Sequence, residues 1–285
     1  MLKCGIDIGG TTIKGALFEG ANPAPVRELS VPTRGREGRE AILGQLFSLL
    51  DALCKKDVGF IGISSAGNID PETGRCVYAT DNLTGWTGTE IARLVRERYS
   101  LPCKADNDAI CALKGELAFY AGVKDATMIT LGTGVGGASM VAGNIVRGRN
   151  FAGGRWGHLC LNPAGNRCNC GKVGCAETYL SATALMRESG KEDFSPDPPP
   201  RDVKELFGLY NGGNPAAERV VGAFGKYLCR LLTEIKTILA PEIIILGGGV
   251  AAGRGVIGKL IGKESENVVF ARLGNLAGAY GAANL

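Results

Sequence analysis

The single histidine of this chain is followed by three closely spaced cysteines, and together they form a candidate metal site. His158 precedes Cys168, Cys170 and Cys175, with glycines between and beside the cysteines. One imidazole and three thiolates are soft ligands that suit tetrahedral zinc, and a glycine-rich loop can fold back so that all four meet. The spacing therefore predicts a structural zinc site.

The chain has ten cysteines, and cysteine also occurs in proteins as a small buried hydrophobe. Those far from the histidine, such as Cys4 and Cys229, are scattered and fit that interpretation. The polar, glycine-rich surroundings of residues 168–175 favour metal binding instead. A disulfide is disfavoured because nothing in the sequence indicates secretion.

Three glycine-rich turns each follow an apolar run and could bind phosphate, because glycine lets backbone N–H groups approach an anion. Their residues are Asp7, Gly9, Gly10, Thr11, Thr12 and Lys14 in the first, Gly132, Thr133 and Gly134 in the second, and Gly248 and Gly249 in the third. The first turn alone reads equally well as a β-hairpin. Three such turns predict a nucleotide held by turns from two domains.

A short acidic segment, residues 106–108, lies between an expected strand and an expected helix. Asn and Asp are preferred helix N-caps, so one of these residues can have a purely structural role. The functional interpretation makes Asp108 a base that deprotonates a substrate hydroxyl, with Asn107 hydrogen-bonding a neighbouring hydroxyl. An alcohol that attacks a phosphoryl group needs a carboxylate placed in this way.

The elements that must position these residues alternate between strands and helices, which indicates an α/β protein. Strands are expected at 3–8, 13–18, 60–63, 103–105, 126–131, 136–141 and 242–246, and helices at 36–55, 89–99, 109–121, 216–239 and 275–285. The strand, glycine turn, strand pattern of the N-terminus returns after residue 126. The sequence thus suggests two related halves.

Composition narrows the function classes. A length of 285 residues allows two modest domains, and the net charge of +4 has no concentrated basic run, so nucleic acid is not an expected partner. The N-terminus lacks the pattern of a signal peptide, and no apolar stretch reaches membrane-spanning length. Many unpaired cysteines favour a reducing, cytoplasmic setting.

These motifs, in this order, resemble the ROK family (repressors, open reading frames and kinases) of sugar kinases over essentially the whole chain. The resemblance implies a two-domain, actin-like ATPase (ribonuclease H-like) α/β fold with an interdomain active-site cleft and a small zinc loop. It places the N-terminal domain at 1–108 plus 272–285 and the C-terminal domain at 109–271. A homodimer is expected from the family alone.

The same resemblance implies a role for each candidate residue in ATP-dependent phosphorylation of a sugar hydroxyl, usually the one on carbon six. Asp108 would be the general base, and Asp7 would orient Mg²⁺ through water. The glycine turns and Lys14 would surround ATP, and the zinc would be structural. The sugar pocket would be lined by Gly67, Asn82, Asn107, Asp108, His158 and Glu177.

One position departs from the family pattern, because Arg155 stands where sugar kinases usually have a glutamate three residues before the zinc histidine. A guanidinium only donates hydrogen bonds, whereas a carboxylate only accepts them. Arg155 could pair with Glu177 or lie near the phosphates, and so leave a smaller neutral-sugar pocket. It could instead recruit an anionic substrate such as a uronic acid or a sugar phosphate, reflect a loss of efficient catalysis, or lie on the surface. The neighbouring Trp156 could face a sugar ring or be a buried aromatic.

Two other classes of function compete with a sugar kinase. A sugar-binding protein with weak or no catalysis is compatible with Arg155, although a DNA-binding repressor is not expected. A phosphotransferase acting on a non-sugar acceptor is the third possibility, which the zinc loop and Glu177 disfavour.

Overall fold

The computed structural model describes residues 1–55 and 57–285, which form two compact units. The first unit comprises residues 1–121, 147–153 and 275–285, and the second comprises 122–146 and 154–274. The first unit thus extends beyond residue 108, where the sequence-based division was placed. It also includes a short segment, 147–153, whose flanking residues belong to the second unit.

The strands form one main sheet in each unit and a small hairpin in the first. In chain order they are β1 (Leu2–Ile8), β2 (Thr12–Glu19), β3 (Arg27–Pro32), β4 (Val58–Ser65), β5 (Asn68–Asp70), β6 (Arg75–Tyr78), β7 (Cys103–Asn107), β8 (Ala126–Leu131), β9 (Val135–Val141), β10 (Asn144–Ile145), β11 (Ile243–Gly247) and β12 (Val268–Phe270). The hairpin pairs β5 with β6.

The two main sheets have the same topology. The first has the order β3-β2-β1-β4-β7 and the second has the order β10-β9-β8-β11-β12. In each, the first three strands are antiparallel and the last two run parallel to the central strand. The repeated strand, turn, strand pattern in the sequence therefore corresponds to equivalent positions in two sheets, as the sequence suggested.

The helices are α1 (Arg39–Leu53), α2 (Ile91–Tyr99), α3 (Asp108–Leu117), α4 (Glu177–Leu180), α5 (Ala182–Ser189), α6 (Val203–Asn211), α7 (Pro215–Leu239), α8 (Arg254–Ile261) and α9 (Ala277–Ala283). Leucine and isoleucine at helical spacing bury one face of α1 in the core of the first unit. The longest helix, α7, contributes much of the core of the second unit. Among the described residues, no helix combines the length and apolarity that a membrane span needs.

Several helices are shorter than the sequence predicted. The predicted helix 36–55 begins only at Arg39, because Gly38 has a φ of 98° and separates it from a 3-10 turn at Gly35–Glu37. The predicted helix 109–121 begins at Asp108 and ends at Leu117. Beyond it, the N–H groups of residues 118–120 bond three residues back instead of four. The predicted C-terminal helix 275–285 is confined to Ala277–Ala283.

Candidate functional site

Polar side chains line the carboxyl ends of the parallel strands in the first unit. Asp7 on β1 is in register with Ser64 on β4, which is in register with Asp106 on β7. The Ser64 hydroxyl donates a hydrogen bond of 2.5 Å to Asp7 Oδ1. Because these strand ends meet at one edge of the sheet, the carboxylates of Asp7 and Asp108 lie close enough to affect each other.

Both carboxylates are harder to ionise than an ordinary aspartate. Burial raises the pKa of Asp7, although the Ser64 hydroxyl and the charge of Lys14 oppose that shift. Burial, and next the negative charge of Asp7, raise the pKa of Asp108 to about 6. Lys14 is directly opposite Asp7 in the antiparallel pair of β1 and β2. Asp108 is half-buried at the start of α3, and its carboxyl group is therefore easier to protonate near neutral pH than that of an ordinary aspartate.

Asn107 holds the Asp108 side chain. Its Nδ2 atom donates to Asp108 Oδ1 at 2.7 Å and to the Gly67 carbonyl at 2.8 Å. Its Oδ1 atom accepts from the N–H groups of Ala109 and Ile110, so Asn107 is the N-cap of α3. The structure therefore assigns the cap to the middle residue of the acidic segment. Its proposed bond to a sugar hydroxyl would have to share or replace one of these contacts.

Asp106, which immediately precedes Asn107 in the chain, forms a buried ion-pair cluster. Its side chain is 1% exposed, and Arg147 donates to its two oxygens at 2.9 and 2.8 Å. Lys114 adds a contact of 3.2 Å, and the Asn107 N–H donates to Asp106 Oδ1 at 2.9 Å. Burial raises the pKa of Asp106, but the Arg147 and Lys114 charges more than compensate, so the pKa lies below its usual range. The cluster keeps Asp106 ionised and fixes the strand end.

A buried threonine, Thr33, fixes the conformation of the first glycine turn through two hydrogen bonds. Thr33 is fully buried; its hydroxyl donates to the Gly9 carbonyl at 2.7 Å, and its N–H donates to the Thr11 carbonyl at 2.9 Å. The Gly9 N–H closes the turn by donating to the Thr12 carbonyl at 3.1 Å. These bonds occupy the carbonyls of Gly9, Thr11 and Thr12, and Gly10 is exposed at the tip of the turn.

Two of the residues assigned to the sugar pocket lie beside the first glycine turn and Asn107. Gly67 has a φ of 108°, and a Cβ there would approach the Tyr78 carbonyl oxygen to 2.6 Å, so glycine is required. Asn82 lies against the first glycine turn, with its Cβ 3.8 Å from where a Cβ on Gly10 would be. Both therefore lie near the residues that the sequence placed at the phosphate turn and at the base.

In the second unit, the other two glycine turns lie side by side. Thr130 near the end of β8 is in register with Gly247 at the end of β11. Gly248 follows with a φ of 87°, and a Cβ there would collide with the Leu131 carbonyl. The Gly132 N–H closes the neighbouring turn by donating to the Gly134 carbonyl at 2.9 Å. The two sets of glycines form adjacent backbone surfaces at one edge of the sheet.

The four predicted metal ligands meet in the second unit. Their ligand atoms lie within 4.8 Å of one another. The Cys168 Sγ is 3.7 Å from His158 Nδ1, and the Cys170 Sγ is 3.6 Å from the Cys175 Sγ. Zinc–sulfur bonds of about 2.3 Å in a tetrahedron separate ligands by about 3.8 Å, so the cluster fits zinc. Burial lowers the pKa of His158 and favours the neutral imidazole that binds metal.

Glu177 extends from this cluster to the second glycine turn. It begins α4, two residues after Cys175, and its Oε1 atom lies 3.9 Å from the Cys168 Sγ. Its Oε2 atom accepts from the Val135 N–H at 3.0 Å. The sequence placed Glu177 at a sugar pocket but gave no indication of this contact.

Arg155 and Trp156 begin the short 3-10 turn that carries His158. Arg155 is exposed, and its charge is one of the influences that lower the pKa of His158. Trp156 is partly buried against β9, and its indole N–H donates to the Ser139 hydroxyl at 3.0 Å. Of the two interpretations of Trp156, the buried aromatic matches this packing.

Comparison with known proteins identifies the group to which these features belong. The sequence profile described as "ROK family" matches residues 3–285. This chain belongs to the ROK family. A glucokinase of Halalkalibacterium halodurans is 33% identical over 97% of this chain and 92% of its own length. An N-acetylmannosamine kinase of Salmonella typhi is 28% identical over 90% of this chain and 86% of its own length.

A solved structure of the family confirms the predicted fold class. It is a ROK family glucokinase from Streptomyces griseus in complex with glucose and AMPPNP, with a TM-score of 0.84 and 28% identity. The match covers 100% of this chain and 98% of that one. The ROK fold of this protein is therefore the two-sheet, actin-like α/β fold with a cysteine and histidine cluster.

Sequence reasoning missed two residues that this ROK protein uses to shape its candidate site. Arg147 lies 41 positions from its partner Asp106, in a segment with no recognisable motif. Thr33 follows a proline outside the glycine turn that it supports. Neither bond has a local sequence signal.

Proposed function

We propose that this protein catalyses ATP-dependent phosphorylation of a hexose or related sugar hydroxyl, with Asp108 as the general base. The observation that carries the proposal is the state of Asp108, which Asn107 orients at a strand end and whose pKa is raised to about 6. A carboxylate with a pKa near the working pH can accept a hydroxyl proton as the oxygen attacks a phosphoryl group.

The remaining candidate residues take binding roles in this proposal. Backbone N–H groups of the three glycine turns, the hydroxyls of Thr11, Thr12 and Thr133, and Lys14 would bind the phosphates of ATP. Bound Mg²⁺ would neutralise charge on the phosphates, and Asp7 would orient it through water. Sugar hydroxyls would contact Gly67, Asn82, Asn107, Arg155, His158 and Glu177.

The zinc would be structural in this proposal, because His158, Cys168, Cys170 and Cys175 supply four protein ligands and leave no open position. The Nδ1 atom of His158 lies 3.7 Å from the sulfur of Cys168, so Nδ1 would be the ligand atom. The imidazole is then fixed in one orientation, and Nε2 is the atom that could reach a sugar hydroxyl.

The names of the relatives support a hexose acceptor without selecting one. Glucose and N-acetylmannosamine differ in an acetamido group and in one stereocentre, and such differences are read by pocket geometry. We propose the hydroxyl on carbon six as the acceptor, because it is the primary and least hindered hydroxyl of a hexose.

A second candidate, a kinase for an acidic sugar, is favoured by one specific observation. Arg155 is exposed, and its positive charge acts on His158, a proposed sugar ligand. A guanidinium there could pair with a uronate or a phosphate group in a bidentate contact. The alternative of a non-catalytic or weakly active sugar-binding protein would use the same binding residues with little or no turnover.

A coupled assay of ADP release tests these possibilities. Purified protein is supplied with ATP, Mg²⁺ and, in turn, neutral hexoses, N-acetylated hexosamines, uronic acids and sugar phosphates. The proposal expects rapid turnover with one neutral or acetylated sugar, and loss of that turnover in Asp108→Asn. Preference for a uronic acid or sugar phosphate, abolished in Arg155→Glu, would support the second candidate. Sugar binding by calorimetry with no ADP release would contradict kinase function.

A further inference from the structure

We infer that Glu177 is a positioning residue for the second glycine turn and that, through it, the cysteine and histidine cluster controls nucleotide affinity. This inference rests on the proposed function, because the turn of Gly132, Thr133 and Gly134 is assigned to ATP there. It goes further by giving the metal loop an effect on the nucleotide as well as on the sugar.

The turn closes directly around the Glu177 carboxylate. The Val135 N–H donates to Glu177 Oε2 at 3.0 Å. A Cβ on Gly134 would collide with the same oxygen, so glycine at this position makes room for the carboxylate. A hydrogen bond to an ionised acceptor is stronger than one between neutral groups, and this bond sets the direction of the peptide plane between Gly134 and Val135.

The segment that follows Glu177 holds the rest of the turn. The Ala182 N–H donates to the Gly132 carbonyl at 2.8 Å, and the Thr183 hydroxyl donates to the Thr133 carbonyl at 2.8 Å. Together with Glu177, these contacts fix the carbonyls of Gly132 and Thr133 and the N–H of Val135. Phosphate binding by a glycine turn depends on where its N–H groups point, so fixing these peptides preorganises the turn.

The same segment is anchored to the cluster at its other end. Cys175 is a ligand of the cluster, and its carbonyl accepts from the N–H and the hydroxyl of Thr178. Ala176 and Leu180 are fully buried, so α4 cannot move independently of the core. The Cys168 Sγ is 3.9 Å from Glu177 Oε1. Cys175, a ligand of the cluster, therefore restrains the segment that carries Glu177.

The inference differs in its consequences from a role of Glu177 as a sugar ligand only. A sugar ligand changes the KM for the sugar when it is altered and leaves nucleotide affinity unchanged. A positioning residue changes nucleotide affinity even when no sugar is present. The amide oxygen of glutamine can still accept from the Val135 N–H, so Glu177→Gln should largely retain nucleotide binding where Glu177→Ala does not.

Calorimetric titration with a non-hydrolysable ATP analogue and Mg²⁺, without sugar, is the direct test. We expect Glu177→Ala to weaken binding by about tenfold, the effect of losing a hydrogen bond to a charged group, and Glu177→Gln to stay within about threefold of the unaltered protein. Glu97→Ala, which removes an exposed glutamate paired with Arg93 on α2, is the matched control and should bind normally. Removing the metal with a chelator should weaken analogue binding in the unaltered protein more than in Glu177→Ala.

A second variant covers the case in which Glu177→Ala does not fold. Thr183→Val removes the hydroxyl that bonds the Thr133 carbonyl, and we expect analogue affinity to fall by about two- to fivefold. Its control is Thr237→Val, which removes an equivalent hydroxyl-to-carbonyl bond on the exposed face of α7. Normal analogue affinity in Glu177→Ala or Thr183→Val, with only the KM for sugar raised, would overturn the inference while leaving kinase function intact. If the unaltered protein binds no ATP analogue, the proposed function itself fails.

Discussion

Arg147 donates two parallel hydrogen bonds to the buried carboxylate of Asp106, and Asp106 accepts a third from the backbone of Asn107, next to the proposed base. Arg147 therefore acts on Asn107, a residue of the candidate site, through Asp106. Without Arg147, a carboxylate that is 1% exposed would keep Lys114 as its cationic partner, at 3.2 Å.

Removing Arg147 should therefore lower the stability of the protein. We expect Arg147→Ala to lower the free energy of unfolding by about 3 kcal/mol, because it leaves a buried charge poorly compensated. The control Arg98→Ala breaks an exposed pair with Asp51 and should cost much less stability. Urea denaturation followed by circular dichroism measures both, and equal losses in the two variants would show that the Asp106 pair has no special importance.

Replacing the proposed base should abolish most activity without disturbing the fold. Asp108→Asn keeps an oxygen that can accept from Asn107 Nδ2 and the Ala109 N–H, but it cannot take up a proton from a hydroxyl. We expect turnover to fall by about 10²–10⁴-fold, the usual effect of losing a general base. Steady-state kinetics with saturating sugar and ATP gives the ratio, and near-normal turnover would remove Asp108 from the mechanism.

Activity should fall in acid as Asp108 becomes protonated. The base works as the carboxylate, so kcat/KM should decrease tenfold per pH unit below about 6, where the raised pKa of Asp108 lies. The contribution of Asp108 to stability, in contrast, should increase as the pH falls. The folded protein holds this proton more tightly than the unfolded chain, whose aspartate pKa is about 3.9, so the contribution of Asp108 to stability decreases as pH rises from about 4 to 6.

Asp108→Asn should thus stabilise the fold by about 1–3 kcal/mol at pH 7 and have little effect below pH 4. Unfolding curves of both proteins at the two pH values would show this crossover. A constant difference at both pH values would mean that the ionisation of Asp108 does not oppose folding.

Adding a methyl group at Gly278 should disturb Asp7. A Cβ there would lie 2.7–2.9 Å from the atoms of the Asp7 carboxylate, which does not leave room for it. We expect Gly278→Ala to cost about 1–3 kcal/mol of stability. We also expect it to raise the Mg²⁺ concentration that any activity requires. Gly222→Ala, on α7 with no atom within 4 Å, should instead stabilise by up to about 1 kcal/mol. Thermal unfolding of both variants distinguishes the close contact from a general effect of replacing helical glycine.

Loss of one cluster cysteine should remove the metal. We expect Cys170→Ser to lower the zinc content from one ion per chain towards none, and to lower the melting temperature, because a structural zinc contributes directly to folding. Cys160→Ser removes an exposed thiol outside the four ligands and should keep both. Emission spectrometry of purified protein measures the metal, and metal-free but equally stable Cys170→Ser protein would contradict a structural role.

The sequence predicted those features that depend on local pattern. Strand β8 matches its predicted range, 126–131, and the metal ligands meet as their spacing predicted. Helix ends were less predictable, because the start of α1 depends on the positive φ of Gly38. The bonds that Arg147 donates to Asp106 and that the Val135 N–H donates to Glu177 join residues far apart in the chain, so their geometry follows from the folded structure and not from any motif.

Helix α9, at the C-terminal end of the chain, covers strands that are synthesised first. Its backbone lies directly on the central strands, since a Cβ on Gly5 would collide with the Ala279 carbonyl and one on Gly62 with the Ala282 carbonyl. The strands that carry Asp7 and Asn107 leave the ribosome long before residues 277–283. One face of the first sheet therefore stays uncovered until the segments of the second unit have been translated.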